Sequence, residues 1–393
     1  MIIVVKNKLK DFLKQQQQQI SYLFENLVRI ETPSSDKTAL EKLAAHLDTY
    51  LNAMGLEVQK YSFEAAGPTL VAKNSPTAFP PILLCSHMDT VHSVGAFGKD
   101  TFVRDKDNPD IVRGPGVYDT KGGIVIAVFV IKVLQALNYN KRQLKLLLVS
   151  DEEVAHSLSN GKSAAIIEQE AKGACCCFNC DSGRLNDQIV LQRNGGGIFK
   201  VKVYGKAAHA GNAPWDGANA ILTAAEKITA IAKLSDYNDA YFGTGVIKGG
   251  SKSNIVPDYC EFVNDIRFKT NEAYDKALKN IRTIVEDNSD PRIRAELEAT
   301  GLFRALEKVA KTDALMELFA DAAENLGYNR PSGIFVGGCS DAAFVSHMGV
   351  PTLCGTGIIG DHNHTLEEYA LESSIFEQVA KIALTIISLP DDF

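Results

Sequence analysis

Four runs of apolar residues in this chain stop abruptly at carboxylates or imidazoles. "PILLCSHMD" ends in His87 and Asp89, "LKLLLVSDEE" in Asp151, Glu152 and Glu153, "ACCCFNCD" in Asp181, and "VPTLCGTGIIGDHNH" in His362 and His364. Continuous apolar runs that alternate with helical patterns describe strands of a largely parallel sheet covered on both faces. Ligands of such sheets bind beyond the carboxyl ends of the strands. One polar strand end means little; four of them predict a single convergent site.

The remaining pattern divides the chain. At 393 residues it exceeds what one core usually serves, so two domains are expected. Apolar stripes predict helices over 8–31 and 37–54, with Gly55 as a stop and His46 off the stripe and exposed. The "QQQQQ" run is read as solvated helix surface. Near residue 197 the period changes to two, in "GIFKVKVYG". A helix over 217–234, strands over 241–247 and 257–268, a helix over 272–287 and a strand over 293–300 follow. That βαββαβ order is the ferredoxin-like sandwich. From Arg304 helix–strand alternation resumes. The expected fold is therefore a mostly parallel α/β domain with helices on both faces (1–196 and 305–393), interrupted by an inserted α+β domain (197–304).

Several classes are disfavoured. A formal charge of −7 without a basic run argues against nucleic acid or an anionic membrane as partner. The most apolar stretch, "GGIVIAVFVIKVLQAL", is broken by Lys132 and reads as a buried helix rather than a membrane span. The apolar start of "MIIVVKNKLK" is too short for a signal-peptide core. Consecutive cysteines in "ACCCFNC" would point to opposite faces of a strand. They are read as small buried hydrophobes rather than disulfides or a soft-metal site, in a reducing, cytoplasmic setting.

Between the first two strand ends lies "RGPGVYDTKGG", a glycine-rich loop presenting Asp119 and lacking the Gly-Lys-Ser/Thr ending of a phosphate loop. Together, His87, Asp119, Glu153, Asp181 and His364 form a ligand set with Asp89 and Glu152 beside it. Two imidazoles and several carboxylates suit a pair of divalent, zinc-like ions about 3.5–4 Å apart, bridged by one carboxylate. Asp119 is placed to bridge. Asp89, two residues from His87, can accept the second N–H of that imidazole and orient it.

The motifs "SHMDTV", "GPGVYDTKGG", "DEE", "CD" and "NHTLEEY", in this order, resemble the dinuclear zinc peptidase and amidohydrolase family. That family includes glutamate carboxypeptidase, acetylornithine deacetylase, succinyl-diaminopimelate desuccinylase and aminoacylase. "GKAAHAGNAPWDGANA" and "SNIVPDYCEFVNDIR" extend the resemblance through the inserted domain, and it is strongest to the glutamate carboxypeptidase branch. It implies His87, Asp119 and Asp181 on one zinc and Asp119, Glu153 and His364 on the other, with cobalt or manganese as alternative metals. His364 is preferred to His362 because it stands five residues before Tyr369. Glu152 is implied as general base and Asp89 as support for His87. His209 is implied as an oxyanion donor reaching a partner subunit of a homodimer formed through the inserted lid domain. Arg267 and Asn254 are implied as binders of a substrate α-carboxylate, and Gly338 and Asp341 as lining the site. One departure is "GLFRALEK", which lacks an Arg-Pro found in some glutamate-specific relatives.

The expected activity is zinc-dependent hydrolysis of a small peptide, releasing an amino acid with a free α-carboxylate. Deacylation of an N-acyl amino acid is the alternative, and a non-catalytic amino-acid or peptide binder is the rival of another class. His92, His156 and His347 match no ligand position and are read as structural. Trp215 is expected to pack within the inserted domain.

Overall fold

The computed structural model describes residues 2–393. The chain opens with α1 (Ile2–Arg29) and α2 (Lys37–Ala53), followed by β1 (Glu57–Tyr61), β2 (Thr69–Lys73) and β3 (Phe79–His87). Next come α3 (Gly122–Ala136), β4 (Arg142–Val149), α4 (Lys162–Ala171), β5 (Cys176–Asn179) and β6 (Gln188–Arg193). The middle stretch holds β7 (Gly195–Tyr204), α5 (Ala220–Ala232), β8 (Ala240–Gly249), β9 (Tyr259–Phe268), α6 (Asn271–Glu286) and β10 (Arg294–Phe303). The chain finishes with α7 (Thr312–Leu326), β11 (Ser332–Val336), α8 (Ala342–His347), β12 (Thr352–Cys354) and α9 (Ser374–Ser388).

These elements form two compact units. The first comprises Met1–Gln192, Leu306–Val336 and Ser340–Phe393; the second comprises Arg193–Ala305 and Gly337–Cys339. In the first, an eight-stranded sheet runs in the order β1-β2-β4-β3-β5-β12-β6-β11. Its centre, β4-β3-β5-β12, is parallel, whereas β1 on β2, β2 on β4 and β6 on β12 pair antiparallel. Helix α3 has 12 of its 15 residues buried, with Lys132, Gln135 and Ala136 forming the one face that is not. Helix α2 starts where Asp36 accepts the Ala39 N–H (3.0 Å) and stops at Gly55, whose φ is 78°.

In the second unit four antiparallel strands run β8-β9-β7-β10. Phe199, Val201, Val203, Phe262, Ile266 and Phe268 form its own core with Ala224 and Ile231 of α5 and Ala277 and Ile281 of α6. Thr270 caps α6 through the Ala273 N–H (3.1 Å).

Three expectations shift. Helix α1 begins at Ile2 rather than residue 8. Helical structure resumes only at Thr312, directly after Lys311, whose left-handed φ of 68° prevents a helix from running through it. Trp215 is 72% exposed and does not pack inside the second unit. All eight cysteines are free and seven are buried. Among the described residues no helix is long and apolar enough to cross a membrane.

Candidate metal centre

The three strands β4, β3 and β5 are neighbours and parallel, so their carboxyl ends lie side by side. β3 delivers His87 as its last residue, paired in register with Val149 at the end of β4. Asp151, Glu152 and Glu153 follow Val149 in a turn rather than on an extended strand end. Asp181 lies two residues past β5. Asp119 sits in the Val117–Lys121 segment that enters α3. That segment is tied to the strand ends: Thr120 Oγ1 donates to Cys180 O (2.9 Å), Ser86 Oγ to Thr120 O (3.3 Å) and Tyr118 OH to Gly183 O (2.7 Å). His364 does not follow β12 directly. It stands in the turn between the short strands Gly360–Asp361 and Tyr369–Leu371.

These residues converge. His87, Asp119 and Glu153 each offer a ligand atom within 4.8 Å of the others. His87 Nε2 lies 3.0 Å from Asp119 Oδ1, and His364 Nε2 lies 3.4 Å from Asp119 Oδ2 and 3.1 Å from Glu153 Oε2. The two oxygens of Asp119 thus face two different imidazoles. His362 takes another direction, its ring 5.9 Å from that of Tyr369. Asp181 is outside the tight group, its Oδ1 accepting the N–H of Ser182 (2.7 Å).

The electrostatics describe a site for positive charge. Burial alone would raise the Asp119 carboxyl, but His364, His87 and Asn363 hold it well below the usual range. His364 is pushed up to about 10 by Asp119 and Glu153. Burial opposes charge on His87, yet Asp119 and Asp89 outweigh it and raise that imidazole as well. Glu153 is raised to about 7 by burial and by Asp119, and its Oε1 is buried without a hydrogen-bond partner. An orphaned buried carboxylate oxygen beside two imidazoles and a second carboxylate has the donor set of a hard-to-borderline divalent cation. The residues fit a metal.

Glu152, only 9% exposed, is pushed well above the ordinary glutamate range by burial, with Asp341, Glu153 and Asp181 adding to it against His87. The cost of burying a charge there favours the protonated form of this carboxyl.

Other expected site residues are placed differently. Asp89 meets the Nδ1 side of His87 with its backbone carbonyl (3.0 Å) and, further off, its carboxylate (3.4 Å). The same carboxylate accepts the N–H groups of Glu152 (3.2 Å) and Glu153 (3.1 Å) and the Ser34 hydroxyl (2.7 Å), bracing the acidic turn. Asp341 does not present a free carboxylate, because it is buried against His156 Nε2 at 2.7 Å. In the second unit, Arg267 is forked onto Asp265 (2.8 and 2.9 Å), leaving NH1 near Cys339 Sγ (3.7 Å). Gly338 is exposed and its carbonyl accepts from Arg193 (3.2 Å). Asn254 is exposed, its carbonyl accepting the Ala210 N–H. His209 is exposed, and its Nδ1 accepts the N–H groups of Gly211 (3.1 Å) and Asn212 (3.2 Å). The ring proton therefore sits on Nε2 and points outward as a donor.

Sequence reasoning missed Asn363, which donates to Asp119 Oδ2 (2.9 Å), and Glu368, which accepts the Asp119 N–H (3.0 Å). Both flank His364 in "NHTLEEY", which was the available signal.

A family model, Peptidase family M20/M25/M40, matches residues 83–388. Carboxypeptidase G2 of Pseudomonas sp. (strain RS-16) is 28% identical over 374 residues, covering 93% of this chain and 88% of its own. Succinyl-diaminopimelate desuccinylase of Rhodopseudomonas palustris (strain BisA53) is 26% identical over 350 residues, covering 82% and 86%. The crystal structure of aminopeptidase PepT from Bacillus cereus ATCC 10987 shares the fold with a TM-score of 0.70 at 22% identity, covering 94% of this chain and 98% of that one. The chain belongs to this family of peptidases and amidohydrolases.

Proposed function

We propose that this chain is a metal-dependent hydrolase of amide bonds, of the carboxypeptidase kind, releasing an amino acid with a free α-carboxylate. The observation that carries the reading is the buried carboxyl of Glu152, next in the chain to Glu153 of the His87–Asp119–Glu153 group and read as the base. A protein that only bound peptides would have no use for a base there. His87, Asp119, Glu153 and His364, with Asp181, would hold two divalent ions, zinc first among them. Bound there, such ions supply Lewis acidity to a scissile carbonyl and acidify water. Glu152 takes the proton of the attacking water as the new C–O bond forms. It delivers that proton to the leaving nitrogen as the C–N bond breaks.

The second unit is read as a lid and dimerisation domain. His209, with its Nε2–H directed outward, donates to the oxyanion of a partner subunit's substrate. Asn254 and Arg267 receive the substrate carboxylate, Arg267 through the guanidinium edge that Asp265 leaves open. The free cysteines agree with a cytoplasmic setting.

Similarity to carboxypeptidase G2 favours the peptidase. Similarity to succinyl-diaminopimelate desuccinylase supports a second reading, deacylation of an N-acyl amino acid. A panel of dipeptides and acetyl or succinyl amino acids, followed by amine release, separates them. Cleavage of dipeptides alone supports the peptidase; cleavage of acyl amino acids alone overturns it. Glu152→Gln tests the base: turnover should fall about 10²–10⁴-fold with metal content unchanged. Glu153→Ala should lose metal together with activity.

A further inference from the structure

Glu368 is fully buried, and its carboxylate accepts four hydrogen bonds. Oε1 takes the backbone N–H groups of Tyr118 (2.9 Å) and Asp119 (3.0 Å). Oε2 takes the Gly116 N–H (3.2 Å) and Nε2–H of His92 (2.7 Å). Gly116, with φ at 75°, starts a stretch whose N–H groups are turned towards one point. A carboxylate at that point does for the loop what carbonyls do inside a helix. No neutral side chain offers as many lone pairs.

Glu368 also lies in the turn that carries His364, ahead of the strand Tyr369–Leu371, which pairs with Ile111–Arg113. One short segment thus holds the backbone of Asp119 with one side chain and meets its carboxylate with others. Asp119 in turn faces His87 at 3.0 Å through Oδ1, and Asn363 at 2.9 Å and His364 at 3.4 Å through Oδ2. The orientation of the carboxylate between the two imidazoles depends on where its peptide is pinned.

We infer that Glu368, braced by His92, is a positioning residue that fixes the Asp119 peptide so that its carboxylate serves both halves of the metal centre. The inference rests on the metal-dependent reading above. Glu368→Gln replaces one acceptor oxygen by an NH2 facing N–H donors, leaving loop amides unpaired. His92→Leu removes one brace and leaves the three amide contacts.

The experiment compares wild type, Glu368→Gln, His92→Leu and His92→Gln, each stripped of metal. Each is titrated with Zn2+ against a chromophoric chelator, and each is loaded with Co2+ for its visible spectrum. Wild type should take up two ions. Glu368→Gln and His92→Leu should bind both about 10–100-fold more weakly and shift the cobalt bands, as loss of an outer partner does elsewhere. His92→Gln, which keeps a donor, should recover most of the affinity. Wild-type affinity and an unshifted cobalt spectrum in Glu368→Gln and His92→Leu would overturn the inference, whatever happens to their thermal stability. If Glu368→Gln does not fold, His92→Leu against His92→Gln decides in the same way. A wild type that takes up no divalent ion overturns the proposed function as well; wild-type uptake with unaffected variants overturns the inference alone.

Discussion

His156 sits where two buried aspartates need a counter-charge. Its Nε2 lies 2.7 Å from Asp341 Oδ1, and its Nδ1 lies 2.8 Å from Ser163 Oγ and 3.5 Å from Asp151 Oδ1. Burial alone would lower the imidazole, but Asp341 and Asp151 outweigh it and hold it up at about 10. An unfolded histidine titrates near about 6.5. Folding therefore strengthens proton binding, and the resulting stability is complete below about 6.5 and lost as pH climbs through about 10. His156→Leu leaves two buried carboxylates without their partner and should cost about 3–5 kcal/mol at pH about 6. Urea unfolding across this window should show the gap from wild type narrowing as pH rises; a constant gap would refute the ion triad. This triad could not be read from local spacing, because Asp341 is 185 residues from His156. For Glu368 the motif around His364 marked the segment but not the partners, because its donors lie about 250 residues away at Gly116–Asp119. Arg267 was different. Asp265 precedes it by two residues on the same face of β9, so their fork was readable from the period-two pattern.

The elements were easier to foresee than their ends. Continuous apolar runs identified β3, β4 and β5, because strands buried on both faces leave no polar alternation to obscure them. What the pattern could not convey is how closely elements approach. Gly123, in the first turn of α3, abuts the chain just past β5, and a Cβ there would lie 1.7 Å from the Cys180 carbonyl oxygen. Backbone cannot yield as a side-chain tip can. Gly123→Ala should therefore destabilise the protein by about 1–3 kcal/mol, although alanine is the better helix former by about 1 kcal/mol. Thermal unfolding of the metal-free protein would measure this. Because Thr120 and Asp181 flank the same contact, metal content should fall too; unchanged melting and metal uptake would show that helix and strand have room to part.

Across the molecule, the proposed division of labour predicts complementation. His209→Ala and Glu152→Gln should each be nearly inactive, and subunit exchange between them should restore activity, since one site then has both an intact base and an intact donor. Exchange shown by mass spectrometry without recovered turnover would place His209 in its own chain's reaction or in none. The sheet order carries a different implication. β12, near the end of the chain, lies between β5 and β6, two strands made before the whole second unit. While a ribosome is extending the chain, β5 keeps one edge unpaired and β6 has no neighbour in the sheet, since β11 and β12 are both made later. β12, which pairs with both, emerges only after more than a hundred further residues. An open strand edge on a nascent chain is a template for the wrong strand, so the protein's hazard of misassembly is concentrated in the interval between translation of Arg193 and of Cys354.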